Sequence, residues 1–296
     1  MKAILHILML GLLSMLFSCG QQNDKKKALV VVADSSQTIL DKKEKERLEK
    51  RKQIEEQERI DSLKNAEILT EALEIATQNI NKGRFHTEYD RVVDNGYYDV
   101  KVEINLDYHF TKDYSHLIIR RSGDPGNVYI DIYSKNNNTF EKVLSHEQWE
   151  FTYRYDTIQD INGDGLKDFV VNWYGSIGCC LRAFSAVYLL RPDKQTFSNE
   201  FEFINPKFSP KEKIIRGICY GHPGETEMYK YKWNGEKVDT LEYVYYEKNQ
   251  NGDKTGKIII STKRFPCEEN NKILKRLNSV PNEYKKIDGY NWFLGF

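Results

Sequence analysis

The residues best suited to chemistry lie in one short segment, Asp160-Ile161-Asn162-Gly163-Asp164-Gly165-Leu166-Lys167-Asp168. Carboxylate or amide side chains at loop positions 1, 3, 5 and 9 can turn their oxygens to one side. Gly165 at position 6 permits a sharp reversal, and the Leu166 carbonyl adds a main-chain oxygen. An all-oxygen donor set in a flexible loop suits a hard cation. Ca2+ is the expected ion, because Mg2+ demands a tighter octahedron and transition metals favour nitrogen and sulfur. The predicted ligands are Asp160, Asn162, Asp164, Leu166 and Asp168, and their expected role is structural, since they leave no open catalytic position. Asn249, Asn251 and Asp253 echo the spacing, but Lys254 stands where the glycine belongs, so that segment reads as a hairpin turn.

Other chemistry is sparse. His86, His109, His116, His146 and His222 form no HExxH or comparable metal pair, and nothing matches GxSxG, a P-loop or GxGxxG. Glu147, Glu150 and Asp156 are scattered carboxylates without a motif, so the chain is not expected to be an enzyme. With 44 basic and 44 acidic side chains and pI near 7, it lacks the basic excess of a nucleic-acid binder. A mean hydropathy of -0.66, 19 tyrosines, 14 phenylalanines and only 7 prolines fit an aromatic-rich β fold better than a disordered chain.

Residues 1–18, MKAILHILMLGLLSMLFS, place Lys2 before an apolar run too short to span a bilayer, as in a signal peptide. The run ends at Leu16-Phe17-Ser18-Cys19-Gly20, which resembles a bacterial lipobox, with Phe17 bulkier than the usual residue there. The resemblance implies lipidation of Cys19, which becomes the new N-terminus and anchors the chain to a membrane. In lipoproteins with this motif sorting depends on the residues after the cysteine, and with no Asp directly after Cys19 the resemblance implies a cell-envelope location, lipid-anchored at the outer membrane and facing the periplasm. Cys179, Cys180, Cys219 and Cys267 remain, and an even number in an oxidising compartment makes them disulfide candidates. A bond between the adjacent Cys179 and Cys180 would be strained, so each is expected to reach Cys219 or Cys267, in an order left open.

The elements that must position these residues follow from periodicity. Residues 19–38 read as a polar tether. Residues 39–82 read as a charged helical stalk, with nine basic and eight acidic residues from Asp41 to Lys64. Acid-before-base pairs Asp41/Lys45, Glu46/Lys50 and Glu55/Arg59 support it, while Leu48, Ile54, Ile60 and Leu63 are too sparse for a coiled-coil seam. Ala66, Leu69, Ala72, Leu73, Ala76 and Ile80 form an apolar face for docking, and Asn81-Lys82-Gly83 is a stop signal. At 1.5 Å per residue, a helix from 40 to 80 would be roughly 60 Å long.

From about Tyr97 the period becomes two, and residues 83–268 are expected to form a calcium-binding antiparallel β domain. Strands are predicted at Val100 to Leu106, Leu117 to Arg120, Val128 to Tyr133, Phe140 to Leu144, Phe169 to Trp173, Ala186 to Leu190, Lys213 to Cys219, Met228 to Trp233, Lys237 to Glu247 and Lys257 to Lys263. Residues 269–296 read as a short helix near Asn270 to Leu277 and an aromatic tail, Tyr290-Asn291-Trp292-Phe293, packing on the β domain. The predicted class is mainly β: an antiparallel β-propeller-like or open-barrel domain preceded by a long charged α-helix.

The acidic loop follows the EF-hand spacing, yet Val171 replaces the glutamate at position 12 and a strand follows rather than a helix. It is thus similar to the DxNxDGxxD loops of FG-GAP and related propeller-type repeats. Strand Phe169 to Trp173, Val187-Tyr188-Leu189-Leu190-Arg191-Pro192-Asp193 with Phe197, Phe201 to Pro206, the loop around Gly217 to Gly224 and Tyr229-Lys230-Tyr231-Lys232-Trp233-Asn234-Gly235 extend the likeness. Together they resemble a β-propeller-like family of bacterial periplasmic proteins with one calcium loop, whose characterised representative inhibits lysozyme-type peptidoglycan hydrolases and confers immunity to a secreted toxin. The resemblance implies a lipid-anchored envelope binding protein whose projecting loop plugs a hydrolase cleft. Cys219-Tyr220-Gly221-His222-Pro223-Gly224-Glu225 is the candidate loop, with Tyr220 as a rigid anchor and Glu225 as a polar contact. The alternative is a non-inhibitory envelope binding or assembly lipoprotein for a protein or glycan partner.

Overall fold

A computed structural model describes residues 25–93, 98–124, 126–175, 180–264 and 273–296. The chain divides into two units, Met1–Ile60 and Asp61–Phe296.

In the first unit the described backbone is helical, belonging to α1 (Lys25–Gln78). The helix therefore starts inside the stretch expected to be a tether. No Gly or Pro occurs between Gln21 and Lys82, so nothing in the covalent chain interrupts helix propagation there. Side chains from Lys42 to Arg59 are exposed. Their acid–base contacts fall at i,i+3, with Glu44 3.6 Å from Arg47 and Glu56 2.7 Å from Arg59, so Arg59 turns to Glu56 rather than to the expected Glu55. Such exposed pairs contribute only a few tenths of a kcal/mol.

The second unit is mainly β, built from three consecutive antiparallel meanders. The first runs β1 (Phe85–Val93), β2 (Tyr98–Asp107), β3 (His116–Asp124), β4 (Asn127–Asn136) and β5 (Thr139–Trp149). The second runs β6 (Tyr153–Gln159), β7 (Asp168–Tyr174), β8 (Ala183–Tyr188) and β9 (Phe201–Ile204). The third runs β10 (Pro206–Ser209), β11 (Ile214–Ile218), β12 (Met228–Trp233), β13 (Val238–Lys248), β14 (Lys254–Ser261) and β15 (Ile273–Leu277). None of the three closes into a barrel.

The sheets are layered, and the sequence shows why. Strands covered on one face alternate, whereas strands covered on both read as continuous apolar runs. In β2, Val100, Val102, Ile104 and Leu106 turn to Ile68, Ala72 and Ala76 of α1. In β3, Leu117 and Ile119 join that same cluster while Ile118 packs with Ile130, Ile132 and the second sheet's Phe169 and Val171. Val170 and Val187 pack against Ile215, Tyr229 and Trp233 of the third sheet. The third sheet's other face, Ile218, Met228, Val244, Ile258 and Ile260, is covered by Val280, Tyr284, Ile287 and Phe293.

Buried ions tie the layers together. Arg121 donates to Asp131 at 2.5 Å and to the Asn65 carbonyl at 2.8 Å, while Lys142 and Ser145 donate to the same carboxylate at 2.7 and 2.8 Å. Arg120 forks onto Asp156 at 2.7 and 2.8 Å, joining the first sheet to the second.

Two differences from expectation concern the C-terminal segment. Ile273 to Leu277 is β15, not a helix: it pairs with Ile258 to Ser261 of β14, which satisfies its backbone along that edge. Asn270 lies outside the described residues. The helical turn instead lies in the aromatic tail, α2 (Tyr290–Leu294), where Phe293 is fully buried and stacks on Tyr246 at 4.7 Å.

Candidate functional site

The acidic loop connects β6 to β7 and folds largely on its own polar groups. Asp160 accepts from the Gly163 amide at 2.6 Å and the Gly165 amide at 3.0 Å. Asn162 Oδ1 accepts from the Asp164 amide at 2.9 Å, and Asp164 accepts from the Leu166 amide at 2.8 Å and the Asn162 side chain at 3.0 Å. Gly163 has φ +75°, and a Cβ there would lie 2.0 Å from the Pro210 carbonyl, so the approach of the neighbouring segment requires glycine. Gly165 has φ +90° and faces open space, so its requirement is conformational rather than steric.

Asp168 differs from its loop partners. It is fully buried, and its two oxygens accept from the Ile161 amide at 2.8 Å and the Leu190 amide at 2.9 Å. Burial pushes its carboxyl up to about 7 against those two donors, and the charges of Asp164 and Asp160 add to the rise. Among the described residues no basic side chain pairs with Asp160, Asp164 or Asp168, so the loop collects like charge without a counter-ion. The donor set is all-oxygen and uncompensated, which suits a hard divalent cation, and each carboxylate oxygen that accepts an N–H keeps a second lone pair. Asp160, Asp164 and Asp168 are nevertheless not gathered within 4.8 Å of one another, since both Asp168 oxygens turn to the Ile161 and Leu190 amides. The Asn249 echo is a hairpin turn, with Asn249 Oδ1 accepting from the Asn251 and Asp253 amides at 2.9 Å.

The candidate plug, residues 219–225, connects β11 to β12. Tyr220 is 49% exposed, but its ring lies under the Arg182 guanidinium at 4.6 Å and its hydroxyl accepts from the same group. Glu225 accepts from Lys248, which holds its carboxyl below the ordinary range. The Gly221 carbonyl accepts from Trp292 Nε1 at 2.9 Å, and the Gly224 amide donates to the Trp292 carbonyl at 2.8 Å. The C-terminal turn therefore straps this loop.

The expected disulfide to Cys219 is not formed. Cys219 is a free, buried thiol packed with Ile215, Tyr229 and Trp233, and burial pushes it up to about 12. A side chain enclosed by the layer between the second and third sheets behaves as a small apolar group rather than a bridging one. Cys180 is also buried, while Cys19, Cys179 and Cys267 lie outside the described residues.

Sequence reasoning passed over two other groups. His86, Glu88 and Glu103 bring their donor atoms within 4.8 Å of one another, but Lys101 holds Glu88 at 2.9 Å and Arg120 holds Glu103 at 3.1 Å. The pairing of Glu88 with Glu103 across β1 and β2 creates this cluster, and strand register is not visible in the sequence. Trp149, Phe151 and Tyr155, at 47%, 76% and 57% exposure, leave aromatic surface in solvent around the β5–β6 turn. The signal available was the aromatic run Trp149 to Tyr155 itself. The carboxylates considered for catalysis do not pair: Asp156 is held by Arg120 and Tyr153, and Glu147 by Asn127.

No protein-family model matches this sequence, and no curated protein matches it. Among solved structures, the chain is similar to one described as "Structure of a Xanthomonas Type IV Secretion System related protein", with 14% identity and a TM-score of 0.31 over 66% of this chain and 95% of that one.

Proposed function

We propose that this protein is a cell-envelope binding protein, lipid-anchored through Cys19, whose β unit carries a structural Ca2+ in the Asp160–Asp168 loop and which inhibits a lysozyme-type peptidoglycan hydrolase. Asp160, Asn162 and Asp164, with the Leu166 carbonyl and Asp168, would hold the ion. Its charge would offset three carboxylates in a nine-residue loop. The observation that carries the binding reading is the 219–225 loop: Tyr220 is half exposed yet held by Arg182, so little side-chain entropy remains to be lost on docking. The test is inhibition of a panel of lysozyme-type hydrolases by the protein, with Ca2+ and with chelator, beside Tyr220→Ala. Inhibition lost in the variant supports the reading, and absence of inhibition across the panel rejects it.

The exposed Trp149, Phe151 and Tyr155 favour a second reading, a non-inhibitory binding module that meets its protein or glycan partner at the β5–β6 turn. Partner capture abolished by Phe151→Ser but retained in Tyr220→Ala would select it.

A further inference from the structure

Beside the acidic loop lies a cleft of about 690 Å³, within the range of small-molecule sites. Its walls come from the β2–β3 connection (Tyr108, Phe110, Lys112), the second half of the acidic loop (Leu166, Lys167) and the turn at Lys194. Four basic side chains, Arg84, Lys112, Lys167 and Lys194, line it against one acid, Asp113. Asp164 and Asp168 flank the Leu166–Lys167 wall in sequence without lining the cleft, so the positive charge belongs to the lining side chains and not to the region as a whole.

Two of the four cations are already neutralised. Arg84 meets Asp107 at 2.8 Å, and Lys194 meets Asp113 at 2.8 Å. Lys112 and Lys167 form no ion pair of their own among the described residues. The Lys167 ammonium reaches only the His109 carbonyl, at a long 3.5 Å.

The floor is apolar and firm. Phe110 is buried and meets His116 and Phe197 edge to face at 5.0 Å, and Phe169 at 6.5 Å. The β2–β3 connection is closed by the Tyr114 amide donating to Thr111 at 2.9 Å. Tyr108, 40% exposed, adds a ring at the rim. Unpaired ammonium groups over a rigid apolar floor suit a ligand with an oxyanion at one end and a compact body behind it.

We propose that this cleft binds a small ligand bearing a carboxylate or phosphate, with Lys112 and Lys167 holding the oxyanion and Tyr108 and Phe110 contacting the body. The site is separate from the 219–225 loop and extends beyond the proposed function. It stands or falls without hydrolase inhibition.

The test is calorimetric titration of the full-length protein in detergent with glucose 6-phosphate, glucuronate, inorganic phosphate and, as neutral control, glucose. Saturable binding of glucose 6-phosphate identifies the phosphate source, and of glucuronate the carboxylate source. In either case binding should exceed that of inorganic phosphate, weaken with added salt, and fall about tenfold in each of Lys112→Ala and Lys167→Ala. Both lysines are exposed, so unchanged melting temperatures would show that the variants fold. No saturable binding of either charged sugar, binding equal to that of inorganic phosphate or glucose, or full affinity in the double variant would overturn the proposal.

Discussion

The loops at 160–168 and 219–225 connect neighbouring strands yet are held by opposite means. In the first, six of the seven hydrogen bonds described above arise inside the loop, and the Leu190 amide alone comes from outside. In the second, local bonds are confined to the Glu225 amide on the His222 carbonyl at 3.1 Å and the pairing of Cys219 with Thr226 and Glu227 at its base, and the remaining holding groups are Arg182, Lys248 and Trp292, from 23 to 71 residues away in sequence. A loop that satisfies its own backbone can be read locally, whereas a loop borrowed by distant side chains cannot.

The contrast can be broken at four points, in descending order of effect. At pH 4, where a carboxyl raised to about 7 is neutral in the fold and its ionisation costs no stability, Asp168→Ala should cost about 4 kcal/mol, because the buried amides of Ile161 and Leu190 both lose their acceptor. Urea unfolding checks this, and an m-value near that of the parent would show the same cooperative unit unfolding. Next, Ca2+ at a hundredfold excess over its dissociation constant should stabilise the protein by about 2.7 kcal/mol. In Asp164→Ala the melting temperature in Ca2+ should drop to that in chelator, as differential scanning calorimetry would record; an unchanged calcium response would show that the ion binds elsewhere than in this loop.

Trp292→Phe deletes one indole bond to Gly221 and should cost about 1 kcal/mol. Hydrogen exchange should rise across residues 220–226 and stay constant at 160–168; equal rises in both loops would show that they are not independently held. The smallest effect comes with acid. Lys248 holds the Glu225 carboxyl below its ordinary value of 4.5, so the pair's contribution is complete above pH 4.5 and is lost as pH falls through the lowered value. Half exposure limits this to a few tenths of a kcal/mol. Exchange at residues 220–226 that accelerates below pH 4.5 in the parent but not in Glu225→Gln would report it.

Much of the fold follows from pattern. Alternation marked β2, and the apolar runs at Leu117 to Ile119 and Phe169 to Val171 marked strands whose two faces are both covered. Others stayed hidden. The edge strand β1 turns Phe85 and Tyr89 to the core between the exposed His86, Glu88 and Asp90, a short alternation with too few apolar residues to stand out, and β15 presents mostly exposed side chains and so carries no buried-face signal. Cys219 was misjudged because cysteine counting weighs redox compartment, while a single thiol's fate depends on which layer encloses it.

By itself the sequence determined the mainly β class, a charged helix ahead of it, and an acidic loop whose spacing nearly closes on itself, because periodicity and donors a few residues apart act before any tertiary contact forms. The tertiary structure alone decided that three meanders stack face to face and that Asp168 turns inward to Leu190. It alone put Trp292 across the 219–225 loop and left Lys112 and Lys167 over one cleft. These depend on strand register and layer order, which join residues far apart in the chain through burial and hydrogen bonding that no local segment encodes.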